Sequence, residues 1–172
     1  MIEVTVARLG IDSATNSYVV ILREKHGQRV LPIWIGKPEA ESIVMQMNQV
    51  KRERPLTHDL CKALIVGMGG VLRRVTISRV QKSTYFAEME IERDGNIVQL
   101  DARPSDSIAI ALRLDAPIFA DAALLNTMEA DDAEPAASDT FFVNPPRDEM
   151  TTEQLKAYLA TLRPEDFGKF TP

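Results

Sequence analysis

Several features that mark other classes of protein are scarce or missing in this sequence of 172 residues. A single cysteine, Cys61, excludes an intrachain disulfide and a cysteine-built zinc site, so we expect a reducing compartment, the cytoplasm. No apolar run approaches the roughly 20 residues that a membrane-spanning helix needs. The first residues combine no basic segment with an apolar one, so we do not expect export.

A strong excess of basic residues is also missing. Residues 1–128 hold 16 Lys and Arg against 15 Asp and Glu, whereas residues 129–172 hold 4 against 10. The net charge is therefore +1 in the first part and −6 in the second, which together give the −5 of the whole chain. With a net charge near zero, residues 1–128 do not repel a polyanion, but they differ from the strongly basic domains that bind duplex nucleic acid.

What the sequence does contain is a regular series of strand and helix patterns. Alternating or continuous apolar runs predict strands over residues 2–6, 16–23, 29–35, 71–81, 84–93, 97–102 and 117–120. Helical spacing and capping signals predict four helices. They cover residues 38–50, residues 57–67 with Thr57 as the N-cap, residues 105–114 with Ser105 as the N-cap, and residues 121–128. Pro32 lacks an amide hydrogen, so its strand should have a bulge or an open edge.

The last forty residues have a different character. Residues 131–149 are acidic and contain alanine and proline but few large apolar side chains, which predicts a flexible linker. Residues 150–172 begin with the capping pattern Thr151-x-x-Gln154, followed by an apolar stripe that includes Leu155, Leu159 and Leu162. This predicts a short amphipathic helix, too small to fold alone, that docks on the body, a second subunit or a partner.

Polar residues without an evident structural role gather where three helices should begin, at residues 36–41, 54–59 and 101–106. Helix N-termini offer free N–H groups and partial positive charge, which suit a phosphate or a carboxylate. Arg54 and Arg103 could hold a phosphate in a bidentate manner. Glu39, Asp101 and Asp106 could instead hold a hard cation, Mg²⁺ or Mn²⁺, because such ions prefer oxygen ligands.

His58 is the candidate general base or acid. It lies in the first turn of a helix, where the helix dipole favours neutral imidazole. Each of these residues also has a purely structural interpretation: Asp59 and Asp106 could complement helix dipoles, and the two arginines could bridge neighbouring carboxylates. His58 could form a local hydrogen bond only. Both interpretations stay open at this point.

Three motifs together resemble the bifunctional nuclease domain family over about residues 1–130. They are Leu31-Pro32-Ile33-Trp34-Ile35-Gly36 with Glu39-Ala40, then Arg54-Pro55-Leu56-Thr57-His58-Asp59-Leu60, then Asp101-Ala102-Arg103-Pro104-Ser105-Asp106-Ser107-Ile108-Ala109. The resemblance implies a compact mixed sheet with helices, self-association, and nuclease activity on DNA and RNA. The polar residues that match the family are Glu39, Arg54, His58, Asp59, Asp101, Arg103 and Asp106.

We therefore predict an α+β fold: a mixed, largely antiparallel sheet flanked by helices, in a single compact domain over residues 1–130 with a C-terminal extension. The predicted activity is a nuclease with little sequence specificity, assisted by Mg²⁺ or Mn²⁺. The predicted catalytic residues are His58, Asp59, Asp101 and Asp106, the phosphate-binding residues Arg54 and Arg103, and the metal ligands Glu39, Asp101 and Asp106. The alternative is a non-catalytic oligomeric module that binds a ligand or nucleic acid or has a regulatory role. In either case the predicted partners are nucleic acid and further copies of the chain, with a dimer favoured.

Overall fold

The structure, a computed structural model, describes residues 1–12 and 15–126. The strands are β1 Ile2–Asp12, β2 Ser17–Glu24, β3 Val30–Ile35, β4 Val71–Gln81, β5 Thr84–Arg93, β6 Asn96–Ala102 and β7 Ile118–Ala120. The helices are α1 Lys37–Met47, α2 Thr57–Gly67 and α3 Pro104–Leu114. The linker and the amphipathic helix predicted for residues 131–172 lie outside the described residues.

The seven strands form one sheet in the order β3-β2-β1-β7-β4-β5-β6. All neighbouring strands are antiparallel except β4 and β7, which are parallel because the chain crosses over through α3 before it returns to the middle of the sheet. This confirms the predicted α+β fold with a mixed, largely antiparallel sheet. Pro32 lies on β3, an edge strand, as its missing amide hydrogen predicted.

The core lies between one face of the sheet and the helices. Inward-facing side chains alternate along the strands, as in Val75 and Ile77 on β4 and in Ala87 and Met89 on β5. Eight of the eleven residues of α3 are buried, which makes it the central helix. Both α1 and α2 pack against α3. As a result, the three helices hold their polar N-terminal turns in fixed positions.

The predicted helix boundaries were wrong in detail at several points. The first helix ends at Met47, which is exposed, and not at position 50. The N-cap of α2 is Leu56, so Thr57 is already helical. Helix α3 is capped by Arg103, since Pro104 fits the first helical position, and Ser105 lies buried inside the helix.

The short helix predicted over 121–128 is a single 3₁₀ turn, Ala122–Leu124, within the described residues. Asp121 starts this turn by accepting a hydrogen bond from the backbone N–H of Ala123 at 2.9 Å. Among residues 1–12 and 15–126, no helix has the length and apolar character required to cross a bilayer.

Candidate active site

The N-terminal turns of all three helices border a cavity of about 570 Å³. Each of the three polar junctions found in the sequence supplies part of its wall, although they are far apart in the chain. The residues that line it are Pro38, Glu39, Glu41, Ser42, Met45, Pro55, Leu56, Thr57, His58, Arg103 and Asp106. The cavity therefore contains two carboxylates, a guanidinium group and an imidazole that the sequence had singled out.

Arg103 joins the carboxylates of α1 and α3. Its Nε and Nη2 donate to the two carboxylate oxygens of Asp106 at 2.7 and 3.1 Å, because a residue at the N-cap and one three positions later face each other. Its Nη2 also lies 2.8 Å from Oε1 of Glu39 in the first turn of α1. The side chain of Arg103 is 67% exposed, so the guanidinium group stays accessible from solvent.

Gly36 helps to place Glu39. A Cβ atom at position 36 would collide with the Glu39 carboxylate, which folds back over the residue that precedes α1. A larger residue at position 36 would force that carboxylate to move. Gly36, which ends the run Leu31-Pro32-Ile33-Trp34-Ile35-Gly36, therefore leaves room for the Glu39 carboxylate at the site.

His58 is held by hydrogen bonds at both ring nitrogens. Its Nδ1 lies 2.8 Å from Oγ of Ser42 on α1, and its Nε2 lies 3.1 Å from Oδ1 of Asp106 on α3. The imidazole is mostly buried, with 12% of its side chain exposed. The histidine thus connects all three helices at the cavity wall.

Arg113 is a central residue of the site that the sequence reasoning missed. Although it is only 5% exposed, its Nε donates to Oδ1 of Asp59 at 2.6 Å and its Nη2 donates to Oγ of Ser42 at 3.1 Å. Its Nη1 donates to the carbonyl of Ala109 at 2.9 Å. The available signal was an arginine among the apolar residues of the predicted third helix, because a buried arginine needs a partner.

The donors around His58 determine where its proton lies. Arg113 can only donate, so Oγ of Ser42 accepts from it and keeps its own hydrogen for Nδ1 of His58. Ionised Asp106 can only accept, so Nε2 of neutral His58 carries the hydrogen of that bond. The network therefore assigns the Nε2–H tautomer, with the Nδ1 lone pair facing Ser42.

The carboxyl groups of Asp59 and Asp106 are both held in the ionised form. Burial acts to raise the pKa of Asp106, but hydrogen bonds from Arg103 and His58 outweigh it, so that pKa lies below its usual value. Burial likewise opposes ionisation of Asp59, and bonds from Arg113 and the Leu56 amide lower its pKa overall. The bond to Asp106 raises the pKa of the Arg103 guanidinium group.

Three of the predicted site residues lie apart from the cavity wall. Arg54 is exposed and makes no hydrogen bond or ion pair to another described residue. Asp59 turns towards Arg113. Asp101 pairs opposite Glu88 on the exposed side of the sheet, since the adjacent pair Ala87 and Ala102 faces the helices.

The predicted metal set of Glu39, Asp101 and Asp106 is thus not brought together. Glu39 and Asp106 both contact Arg103, whereas Asp101 lies on the other side of the sheet. Within residues 1–12 and 15–126, no three or more His, Cys, Asp or Glu side chains are grouped so that they could hold one ion. The arrangement as described does not fit a divalent cation held by protein side chains alone.

A match to the bifunctional nuclease domain covers residues 20–133, two thirds of the chain. The chain belongs to the bifunctional nuclease domain family. This confirms the resemblance found in the three motifs, and it includes every residue of the site described above.

Individual relatives agree with this assignment. An uncharacterized protein of Mycobacterium tuberculosis is 38% identical over 165 residues, which is 96% of this chain and 97% of that protein. Bifunctional nuclease 1 of Arabidopsis thaliana is 30% identical over 110 residues, or 62% of this chain and 34% of the plant protein. Bifunctional nuclease 1 of Oryza sativa subsp. japonica is 27% identical over a similar span. The chain therefore spans about a third of the length of these plant relatives.

Proposed function

We propose that the chain is a nuclease that hydrolyses phosphodiester bonds of DNA and RNA at the cavity bordered by α1, α2 and α3. The observation that carries this proposal is the direct contact of His58 with Asp106, whose carboxylate also binds the exposed guanidinium group of Arg103. A proton-transfer group and an anion-binding group thus share one carboxylate at one cavity. Further support comes from the family and from its plant relatives, which are named bifunctional nucleases.

In this proposal Arg103 binds the scissile phosphate. A guanidinium group has five N–H donors, and those on Nη1 make no hydrogen bond to another described residue. They are free to donate to a phosphate oxygen that enters from solvent. Arg54, at the end of the loop that precedes α2, adds positive charge for a neighbouring phosphate of the strand.

His58 accepts the proton of the attacking group through Nδ1. Because this nitrogen faces Ser42, the proton passes through the serine hydroxyl: Ser42 Oγ takes a proton from an attacking water molecule and gives its own to Nδ1. The resulting imidazolium is stabilised by Asp106 at Nε2. It can then return a proton to the leaving oxygen. The hydrogen bond from Arg113 stabilises the negative charge that develops on Ser42 Oγ during the transfer.

We propose little sequence preference for this activity. Arg103 and Arg54 would contact the phosphate backbone, which is the same for every base sequence. Single-stranded DNA and RNA are the substrates of the experiment that follows.

The experiment compares the purified full chain with two aspartate variants on labelled single-stranded DNA and RNA. We expect cleavage that co-elutes with the protein and is lost in Asp106→Asn. Asp94→Asn is the matched control, because Asp94 lies in an exposed turn where its backbone φ of 50° suits asparagine. Activity that elutes apart from the protein, or survives in Asp106→Asn, would refute the proposal.

Two further arms of the same experiment address the metal prediction. Cleavage is measured with and without chelator, and in Asp101→Asn. A requirement for Mg²⁺ or Mn²⁺ together with loss of activity in Asp101→Asn would favour the metal set predicted from the sequence over the histidine relay. Chelator-resistant cleavage that survives in Asp101→Asn would favour the relay.

The alternative function is a non-catalytic module. The observation in its favour is that the carboxylates of Glu39 and Asp106 already neutralise Arg103, as structural ion pairs do. In that case the protein would bind nucleic acid or another anion without cleaving it. A cytoplasmic location is part of either proposal.

A further inference from the structure

A second cavity, of about 250 Å³, also borders Arg103. Residues 33–36 at the end of β3, residues 83–85 at the start of β5 and residues 103–105 at the start of α3 form its wall. Strands β3 and β5 are separated by four strands in the sheet, so the sheet curves to bring both to the start of α3. Among the described residues, Arg103 alone lines both this cavity and the 570 Å³ cavity that contains His58.

Apolar and aromatic side chains form one part of the wall of the smaller cavity. Ile33 is 2% exposed and belongs to the hydrophobic core, and Ile35 and Tyr85 pack against that core. Tyr85 is only partly buried, and its hydroxyl makes no hydrogen bond to another described residue. An aromatic ring that is supported by the core and borders a small cavity suits a flat ligand that stacks on it.

Ser105 adds a polar group that has no partner. It is 7% exposed, and its hydroxyl makes no hydrogen bond to another described residue. Within the described residues, the hydroxyl of Ser78 is the only fully enclosed side-chain polar group without a partner, so Oγ of Ser105 keeps some accessible surface. Because Ser105 lines the cavity, that surface faces the interior. Hydroxyl groups this deeply buried generally have a partner, which a ligand in the cavity would supply.

We propose that the smaller cavity binds the base of one nucleotide, whose phosphate is held by Arg103. This inference rests on the proposed function, because Arg103 is its phosphate-binding residue. With a phosphate at the shared guanidinium group, the attached sugar and base enter the smaller cavity, and the scissile bond faces His58 in the larger one. A volume of about 250 Å³ is below the roughly 300–1,000 Å³ of sites for drug-sized ligands, so the cavity holds a single base.

A base fits this cavity better than a second phosphate does. Among the described residues that line it, Arg103 is the only one with a positive charge, and the others are apolar, aromatic or hydroxyl-bearing. A hydroxyl group both donates and accepts, so Ser105 can bond to the edge of any base, and every base can stack on Tyr85. The subsite therefore adds affinity and fixes the strand beside His58 without reading its sequence, in agreement with the low sequence preference proposed above.

Calorimetric titration of the full chain tests the subsite without requiring cleavage. We expect adenosine 5′-monophosphate to bind at least about 10-fold more tightly than ribose 5-phosphate, a gain typical of one stacked base. Tyr85→Leu should weaken binding of the nucleotide by about 10-fold and Ser105→Ala by about 5-fold, with ribose 5-phosphate unaffected. Tyr85→Phe keeps the ring and should bind the nucleotide as the parent does.

Two matched variants control for effects on the fold. Phe86 is the neighbour of Tyr85 on β5, but its ring lies 4.3 Å from the guanidinium carbon of Arg79 and outside the cavity, so Phe86→Leu should bind the nucleotide normally. Ser107 is buried in the same helix as Ser105 and also lies outside the cavity, so Ser107→Ala should do the same. Equal or undetectable binding of the two phosphates by the parent would overturn the proposal. So would nucleotide binding that is weakened no more in Tyr85→Leu and Ser105→Ala than in these controls.

A labelled single-stranded DNA with one abasic site tests the same subsite during cleavage. We expect slower cleavage at one of the two bonds that flank the abasic site, and Tyr85→Leu should remove this difference. Uniform cleavage along the strand would overturn the base subsite and leave the nuclease proposal standing. Absence of all cleavage would refute the nuclease proposal instead, and the calorimetric comparison would then decide on the base subsite by itself.

Discussion

Nε of Arg113 lies 2.6 Å from Oδ1 of Asp59, and this ion pair ties the last turn of α3 to the first turn of α2. The guanidinium group is almost fully buried, whereas the carboxylate is one-third exposed. Through Ser42, the same arginine also reaches the hydroxyl group that faces His58. The pair therefore links the packing of the helices to the geometry of the site.

Asp59→Ala is expected to destabilise the protein by about 2–3 kcal/mol. The substitution leaves a buried guanidinium group without its anion, which typically costs about 3–5 kcal/mol, reduced here because Asp59 is partly exposed. It also removes the acceptor of the Leu56 amide. Chemical denaturation of the variant and the parent measures the difference.

Glu88→Ala is the control for that measurement. Glu88 lies 3.8 Å from Arg79 on the exposed side of the sheet, and such surface pairs contribute about 0–1 kcal/mol. An equal loss of stability in both variants would show that the Asp59–Arg113 ion pair stabilises the fold no more than a surface ion pair does. It would also return Asp59 to the set of candidate catalytic residues.

The free energy of unfolding should decrease as the pH is lowered into the acid range, because of Asp106 and Asp59. Both folded-state pKa values lie below the value of about 3.9 expected in the unfolded chain. Their stabilising contribution is thus complete above about pH 5 and is lost as the pH falls through the folded-state values. Thermal unfolding between pH 7 and 2.5 should give a shallower acid decline for Asp106→Asn than for the parent. A steeper decline would contradict the assignment.

Ser42→Ala should lower kcat by roughly 10²-fold with little change in KM, a loss typical of a missing proton-transfer group. The hydroxyl is the group that faces Nδ1, and it does not contact the phosphate in the proposed complex. Ser107→Ala is the matched control, since this serine is also buried and donates to the Pro104 carbonyl at 2.9 Å. Both variants should lose about 1 kcal/mol of stability. Equal kcat values in the two variants would exclude the relay.

Arg103→Ala should raise KM and reduce the slope of log affinity against log salt concentration by about 1, as expected for one lost phosphate contact. Its folding stability should change by less than about 1 kcal/mol, because the side chain is largely exposed. Arg79→Ala, another exposed paired arginine, should leave both the slope and KM unchanged. An unchanged salt slope in Arg103→Ala would show that this residue does not bind phosphate.

Much of the fold could be predicted from local patterns. Strand alternation and turn residues located all seven strands, and Pro32 marked an edge strand correctly. The helix caps were harder to predict. In α3, Pro104 occupies the first helical position, so the cap is the preceding residue, Arg103. The parallel pairing of β7 with β4 depends on contacts that are distant in the chain, and no local pattern reports them.

The site could be predicted only in part. The motifs pointed to His58, Arg103, Asp106 and Glu39, and these residues meet at one cavity. Ser42 and Arg113 were missed, because each lies inside a helix where a polar residue is recognised as important only once its burial is known. Asp101 was grouped with Arg103 by strand alternation, but Arg103 already belongs to the start of α3, where that alternation no longer applies.

The most direct test of the account is the cleavage rate of His58→Asn on single-stranded DNA and RNA, measured on protein purified to constant specific activity. The account predicts a loss of at least about 10²-fold, because asparagine can form hydrogen bonds but cannot accept the proton that passes through Ser42. The folded protein should be retained, as judged by an unfolding transition close to that of the parent. Cleavage at the parental rate by folded His58→Asn would contradict the central claim.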